Sequence, residues 1–292
     1  MLALVDSPQL KERARRHPLS LDQLTVLGAT PIELVALAAA NGCGRIGIYF
    51  QSWNVMPAYD LHQRAQADAL LSRCREYDVR IAVAEPFLLL PDTSLGALLP
   101  NLELAARLQV QAVNAVGFDP DTARLTDVFG SLCERAAGFG LATLIEFFPL
   151  STIASIQMAE RLIRDVRRSD VRINLDVLHL VRSSGTAADI AALDPALIGH
   201  VQLSDGPARI AREGMMAEAS EERALPGEGE FPLRDILGAL PAGVTVGVEV
   251  PSLRRHQAGV VPADWARIAV DAMKAALGSW EPLTPGARGI EH

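Results

Sequence analysis

The chain has 292 residues, enough for one large barrel or two smaller domains. Hydrophobic residues make up 49% and charged residues 21%, which excludes low-complexity disorder and collagen. The net charge is −8, with 25 arginines against 2 lysines, and an acidic chain does not attract phosphate backbones, so nucleic acid is not an expected partner.

After a polar, basic first segment, Leu24–Ala29 reads as a short apolar strand. Pro31 opens a helix that Gly42 closes, the expected asymmetry of proline first and glycine last. Arg45–Phe50 reads as the second strand and Ala58–Asp78 as a helix. Strand three is VRIAVAEPFLL, followed by a helix over Leu95–Gln109. Strand four is VQAVNAVGF, with a helix over Thr122–Phe139. LATLIEFFP is strand five, and Ser155–Arg168 is amphipathic. VRINLDVLHL is strand six, with a helix over Ala187–Leu193. GHVQLSDG is strand seven, followed by a long connection and PLRDILGAL. VTVGVEVP is strand eight, and Pro262–Leu277 is the closing helix.

Eight β-then-α units of roughly 30 residues predict an α/β fold, a single-domain (β/α)8 TIM barrel. The barrel is expected over residues 19–277, after an N-terminal extension (1–18) and before a loose, Gly- and Pro-rich tail (278–292). The runs are apolar rather than alternating, as parallel strands covered on both faces should be. One connection, Pro207–Phe231, is long enough to be a lid or binding segment.

Barrel active sites lie at the C-terminal ends of the strands. The last four strands are apolar until near their ends, where one ligand-type residue appears in each: Glu146, Asp176, Gln202 and Glu249. Burying carboxylates there without a partner costs several kcal/mol. Three of them converging need something cationic, either a divalent metal or a set of arginines. Three carboxylate oxygens and one amide oxygen make a hard shell that suits Mn²⁺, with Mg²⁺ or Co²⁺ as alternatives, rather than structural zinc. His179, three residues after Asp176, is placed to bind substrate or orient a ligand, and His200 shares the inward face of Gln202. Arg209, in the long connection, is a candidate for an anionic substrate group. Phe87, Phe147, Phe148 and Trp53 sit near the mouth and favour a partly apolar substrate.

Other chemistries find no support. Cys43, Cys74 and Cys133 have no metal or disulfide spacing, which fits a reduced, cytoplasmic setting. No signal-peptide core and no membrane-length apolar run is visible. GCGRIG at Gly42–Gly47 follows a helix and enters a strand, the reverse of a dinucleotide loop. Neither Lys11 nor Lys274 is at a strand end, so Schiff-base chemistry is not expected.

Together these residues resemble the xylose-isomerase-like superfamily of metal-dependent sugar isomerases and epimerases. Its ligand-bearing strands five to eight fall here on Glu146, Asp176, Gln202 and Glu249. Its D-x-x-H motif appears as Asp176-Val-Leu-His179, and its Pro-Gly-x-Gly-Glu loop as Pro226-Gly-Glu-Gly-Glu230. The segment Gly199-His-Val-Gln-Leu-Ser-Asp205, with Arg209 shortly after, is similar to the hydroxypyruvate-isomerase branch. The resemblance implies a metal-dependent isomerase or epimerase of a small α-hydroxy-carbonyl compound. It also implies Glu146 and Glu249 as the proton-transferring pair on either side of the substrate, and subunits that pair through their helices as a homo-oligomer. The long connection, with Arg209 and Glu230, is expected to close over the substrate. Two other readings fit the same residues: a dehydroshikimate-dehydratase-like lyase, and a barrel that binds a ligand without catalysis.

Overall fold

The computed structural model describes residues 17–52 and 55–278. The first sixteen residues of the expected extension, the tail from 279 and Trp53 lie outside the described residues.

In chain order, β1 (Leu19–Asp22) is followed by α1 (Pro31–Ala40), β2 (Arg45–Tyr49), α2 (Arg64–Tyr77) and β3 (Arg80–Leu89). Next come α3 (Leu95–Arg107), β4 (Ala112–Gly117), α4 (Thr122–Gly138), β5 (Ala142–Glu146) and α5 (Ile156–Val166). Then β6 (Val171–Asp176) runs directly into the short α6 (Val177–Arg182), followed by α7 (Ala187–Ala192), β7 (Ile198–Leu203) and α8 (Met215–Glu221). The chain continues through α9 (Leu233–Ala239), β8 (Thr245–Val248), α10 (Leu253–Gln257) and α11 (Pro262–Gly278). The strands are parallel and close in sequence order, with β8 beside β1 through Leu19↔Val246 and Leu21↔Val248. This is a (β/α)8 TIM barrel.

Local chemistry sets the helix starts. Thr30 and Glu33 form a reciprocal capping box at α1, with Pro31 in the first turn. Asp121 accepts from the amides of Ala123 and Arg124 at α4, and Ser155 caps α5.

Two sequence expectations are revised. The first strand is Leu19–Asp22, not Leu24–Ala29, where a 3-10 turn at Gln23–Thr25 intervenes instead. All four residues of β1 are buried, and Thr25 Oγ1 donates to the Val248 carbonyl while accepting from the Val250 amide. The Thr25 hydroxyl thus ties the turn to the end of β8 and the residues after it, while Gln23 ties it to Tyr59 and the Tyr49 amide. Second, strand six ends at Asp176, and the VLHL stretch read as its continuation opens the helix α6; the 207–231 connection carries a helix too, α8.

The main apolar core lies between strands and helices, with Leu34, Leu102 and Phe129 fully buried. The barrel interior is polar in its upper part. Ser20, Asp22, Asn114, Asn174 and His200 are all buried there. Asp22 fits because Gly47 and Gly247 oppose it, and a Cβ at either would collide with its carboxylate. The strands that read as uniformly apolar thus hide a polar column on their inner faces.

Candidate functional site at the barrel mouth

A cavity of about 560 Å³ opens at the C-terminal ends of the strands. Its polar floor comprises Glu85 from β3, Glu146 from β5, His179 from α6, Gln202 from β7, Glu249 just past β8 and Arg223 from the long connection. Strand register brings these groups together: Glu146 lies beside Asn174, and Asp176 beside Gln202.

Asp176 is fully buried at the junction of β6 and α6. One oxygen accepts from the Leu178 and His179 amides at 2.7 and 3.4 Å, capping α6. The other accepts from Arg223 Nη1 at 2.9 Å and lies 3.5 Å from His179 Nε2. Burial pushes this carboxyl up, but Arg223, His179 and the helix amides outweigh it and hold the group below its ordinary range.

Glu146 is tied on both oxygens. Asn114 Nδ2 donates to it at 2.6 Å and Asn174 Nδ2 at 3.4 Å, while His179 Nε2 lies 3.1 Å from the second oxygen. The imidazole in turn packs 4.6 Å from the Phe148 ring centre. Glu249 accepts from Gln202 Nε2 at 3.0 Å and pairs with Arg223 Nη1 at 3.0 Å. Burial pushes its carboxyl well above the usual range. Arg223 opposes that shift, and the Glu85 and Asp176 charges add to it.

Three features of this floor were not read from the sequence. Glu85 accepts from Gln202 Nε2 at 3.1 Å and from Asn114 Nδ2 at 2.9 Å. Burial, with the Glu146 and Asp22 charges, pushes it well above the usual carboxylate range. Arg223 is buried between Asp176 and Glu249, its Nε donating to the Ala219 carbonyl at 2.9 Å. Burial opposes the arginine's charge, yet the two carboxylates reinforce it. Asn114 and Asn174 form the amide lattice beneath. Glu85 is the lone acid inside the apolar run of strand three, so widening the search from strand ends to strand interiors finds it. Arg223 leaves no such signal, because its place depends on the path of the whole connection.

All four strand-end residues therefore gather at one end of the barrel, where neighbouring side chains engage Gln202 and Glu249. Gln202 Oε1 accepts from Asn174 at 2.6 Å and its amide nitrogen bridges Glu85 and Glu249. Glu249 is engaged by Arg223. Among the described residues, the set whose ligand atoms all lie within 4.8 Å is Glu146, Asp176 and His179. The imidazole expected to touch substrate thus joins two of the expected ligands, while Gln202 and Glu249 stand beside them. Two carboxylates and an imidazole suit a divalent cation. Asp22, Glu85, Glu146, Asp176 and Glu249 are all buried against one buried arginine among the described residues, so ionising them together calls for further positive charge, which a dication or bound protons supply.

Other expected site residues lie elsewhere. His200 sits beneath the floor, its Nε2 3.2 Å from Asp22 Oδ2, and does not line the cavity. Arg209 is exposed in the connection. Glu230 is also exposed, and its carboxylate accepts from the Ala208 amide at 2.9 Å, closing the connection on itself. Neither lines the cavity. Phe87 and Phe147 are in the core, whereas Phe148 lines the mouth. Burial raises the thiols of Cys43 and Cys133 to about 12 and Cys74 to about 11, so none is a ready nucleophile. No helix among the described residues is long and apolar enough to cross a membrane.

Comparison with known proteins adds to this geometry. No curated protein matches the chain. Among solved structures, an IOLI protein with a binding zinc atom is 18% identical, with a TM-score of 0.74 over 90% of this chain and 99% of that one. The probable 3-DHS dehydratase AsbF from Bacillus anthracis is 14% identical, with a TM-score of 0.69 over 87% and 98%. D-psicose 3-epimerase with D-tagatose from Clostridium cellulolyticum H10 is 14% identical, with a TM-score of 0.68 over 89% and 99%. A xylose isomerase-like TIM barrel/4-hydroxyphenylpyruvate dioxygenase fusion protein is 19% identical with a TM-score of 0.72, and the match covers 88% of this chain but only 42% of the fusion. At these identities the likeness is one of fold. The family model described as xylose isomerase-like TIM barrel matches residues 35–276, and the chain belongs to that family.

Proposed function

We propose that the protein is a divalent-metal-dependent isomerase or epimerase of a small α-hydroxy-carbonyl compound. The observation that carries this reading is the buried Glu146–Asp176–His179 set beside a third carboxylate, Glu249, which pairs with Arg223, at the mouth of a xylose isomerase-like barrel. Glu146, Asp176 and His179 would hold the ion, with Mn²⁺ preferred and Mg²⁺ or Co²⁺ as alternatives. When bound, such an ion supplies Lewis-acid polarisation of a carbonyl and of the adjoining hydroxyl.

The remaining chemistry belongs to the side chains. Isomerisation removes a proton from the carbon next to the carbonyl and returns it to the neighbouring carbon; epimerisation returns it to the same carbon from the other face. Glu249 is suited to this exchange because its surroundings bring its affinity for a proton up toward that of a working acid–base group. Gln202 and Arg223 fix its two oxygens and so aim it. Asn114 and Asn174 hold Glu146 from below, keeping it ready as the partner group. The 207–231 segment, pinned to α6 by Arg182 and Glu218, shields the intermediate enediolate from water.

The experiment is a deuterium wash-in. A panel of hydroxy-carbonyl compounds is incubated with the protein and Mn²⁺ in deuterated water and read by mass spectrometry. The expected result is deuterium at one carbon of a product of otherwise unchanged mass, abolished by Glu249→Gln. Product lighter by one water would instead favour a dehydratase, the activity named for AsbF, whose fold this chain shares. Absence of both exchange and water loss across the panel would leave a ligand-binding barrel.

A further inference from the structure

The cavity changes character with depth. Its hydrogen-bonding groups are concentrated on the floor, whereas the walls above are built from Leu24, Phe50, Leu88, Val116, Phe118 and Met216. β3 makes much of this wall. It has ten residues where the other strands have four to six, and its outer stretch brings Pro86 and Leu88 to the cavity. Leu88 is 41% exposed and Met216 49%, large apolar side chains left facing solvent at the opening of a site.

A free sugar does not match such walls. Each hydroxyl that leaves water needs a new partner, and above the floor the side-chain partners are few and set apart, Gln51, Ser52, Asn101 and Ser220 among a mostly apolar lining. Size points the same way. At about 560 Å³ the cavity is larger than a free hexose or a three-carbon acid would fill.

We infer that the substrate has two parts: a polyhydroxylated or hydroxy-carbonyl head seated on the acidic floor, joined to an apolar group, an aromatic ring or short alkyl chain, lying against the Leu88–Phe118–Met216 wall. The head rests on the function proposed above; the apolar arm rests on the wall alone. The hydroxy acids of the hydroxypyruvate branch lack that arm.

Isothermal titration of the full-length protein with matched pairs tests this: methyl and phenyl β-D-glucopyranoside, and the corresponding galactoside and xyloside pairs, each with Mn²⁺ present. The phenyl member of at least one pair is expected to bind about tenfold or more tightly than its methyl partner, from burial of the ring. In the double variant Leu88→Ser/Met216→Ser that preference should shrink at least about threefold. Both positions are exposed, so the fold survives the change. Equal affinities, no binding by any pair, or a preference unaltered in the double variant would each overturn the inference. Calorimetry reads binding without turnover. A phenyl preference combined with no deuterium exchange in any hydroxy-carbonyl compound of the wash-in panel would therefore retire the isomerase reading and leave the two-part substrate standing.

Discussion

Glu85 shows most sharply what the floor costs the molecule. It is buried, its two oxygens accept only from amides, and its charge meets those of Glu146 and Asp22. Its folded-state proton affinity is raised, so between the unfolded value and the folded one the native state holds a proton that the unfolded chain has lost. Stability from this group is full below about pH 4.5 and declines as pH rises through the folded value. Replacement by the neutral isostere removes that decline. Glu85→Gln is expected to lose stability less steeply than the natural protein as pH rises above about 4.5, measured by urea unfolding at each pH. A difference between the two proteins that is flat with pH would contradict the account. Asp176 has the opposite sign: Arg223 and the α6 amides stabilise its ionised form, a contribution present above its unfolded value and lost as pH falls. Of these groups, Asp176, Glu146 and Glu249 stand out in the sequence as lone acids at the ends of apolar runs. Glu85 stands out only as a lone acid within an apolar run that continues through Pro86 to Leu89. Arg223 does not, since nothing in EERALPGEGE distinguishes a buried cation from a solvated one.

Among the elements, the 207–231 connection is where sequence reading reaches least far. The Pro226-Gly-Glu-Gly-Glu230 stretch is recognisable, but its reason is local and physical. Asp205, at the end of β7, accepts from the amides of Gly206, Gly227 and Phe231 at 2.8, 2.9 and 3.0 Å. Gly229 passes so close to Asp205 and the Gly206 backbone that no Cβ fits, and Gly227 takes a φ of +91°. The loop is thus folded around one buried carboxylate, and it delivers Arg223 from its middle. Glu230, read as a substrate contact, instead fastens the Ala208 amide. Asp205→Ala leaves three amides without their acceptor and is expected to cost about 2 kcal/mol or more. It should also speed amide exchange across residues 206–231 while leaving β2 to β5 protected. Unchanged exchange in that segment would refute this role. Strand one is missed for a related reason. LTVLGA is the more apolar run, but LSLD carries the inward Asp22 that Gly47 and Gly247 accommodate, a pairing visible only once the barrel closes.

At the scale of the molecule, the barrel was legible because alternating apolar runs and helical periods recur eight times, and that pattern has few closed solutions. The location of the site followed from the fold. The partners within it did not, because a ring of strand-end acids can meet around an ion or be divided between an ion and an arginine with no change in spacing. The proposed function divides them: Arg223 bridges Asp176 and Glu249, and Glu146, Asp176 and His179 lie within reach of one cation. Equilibrium dialysis of the purified protein against Mn²⁺, followed by elemental analysis, tests that division directly. Variants are chosen to spare the α6 cap and the Arg223 pair, so Asp176 is left in place. The natural protein and Gln202→Ala are expected to retain about one ion per chain, and His179→Ala and Glu146→Gln to lose most of it. Retention of the metal by His179→Ala and Glu146→Gln, or its loss in Gln202→Ala alone, would contradict the account.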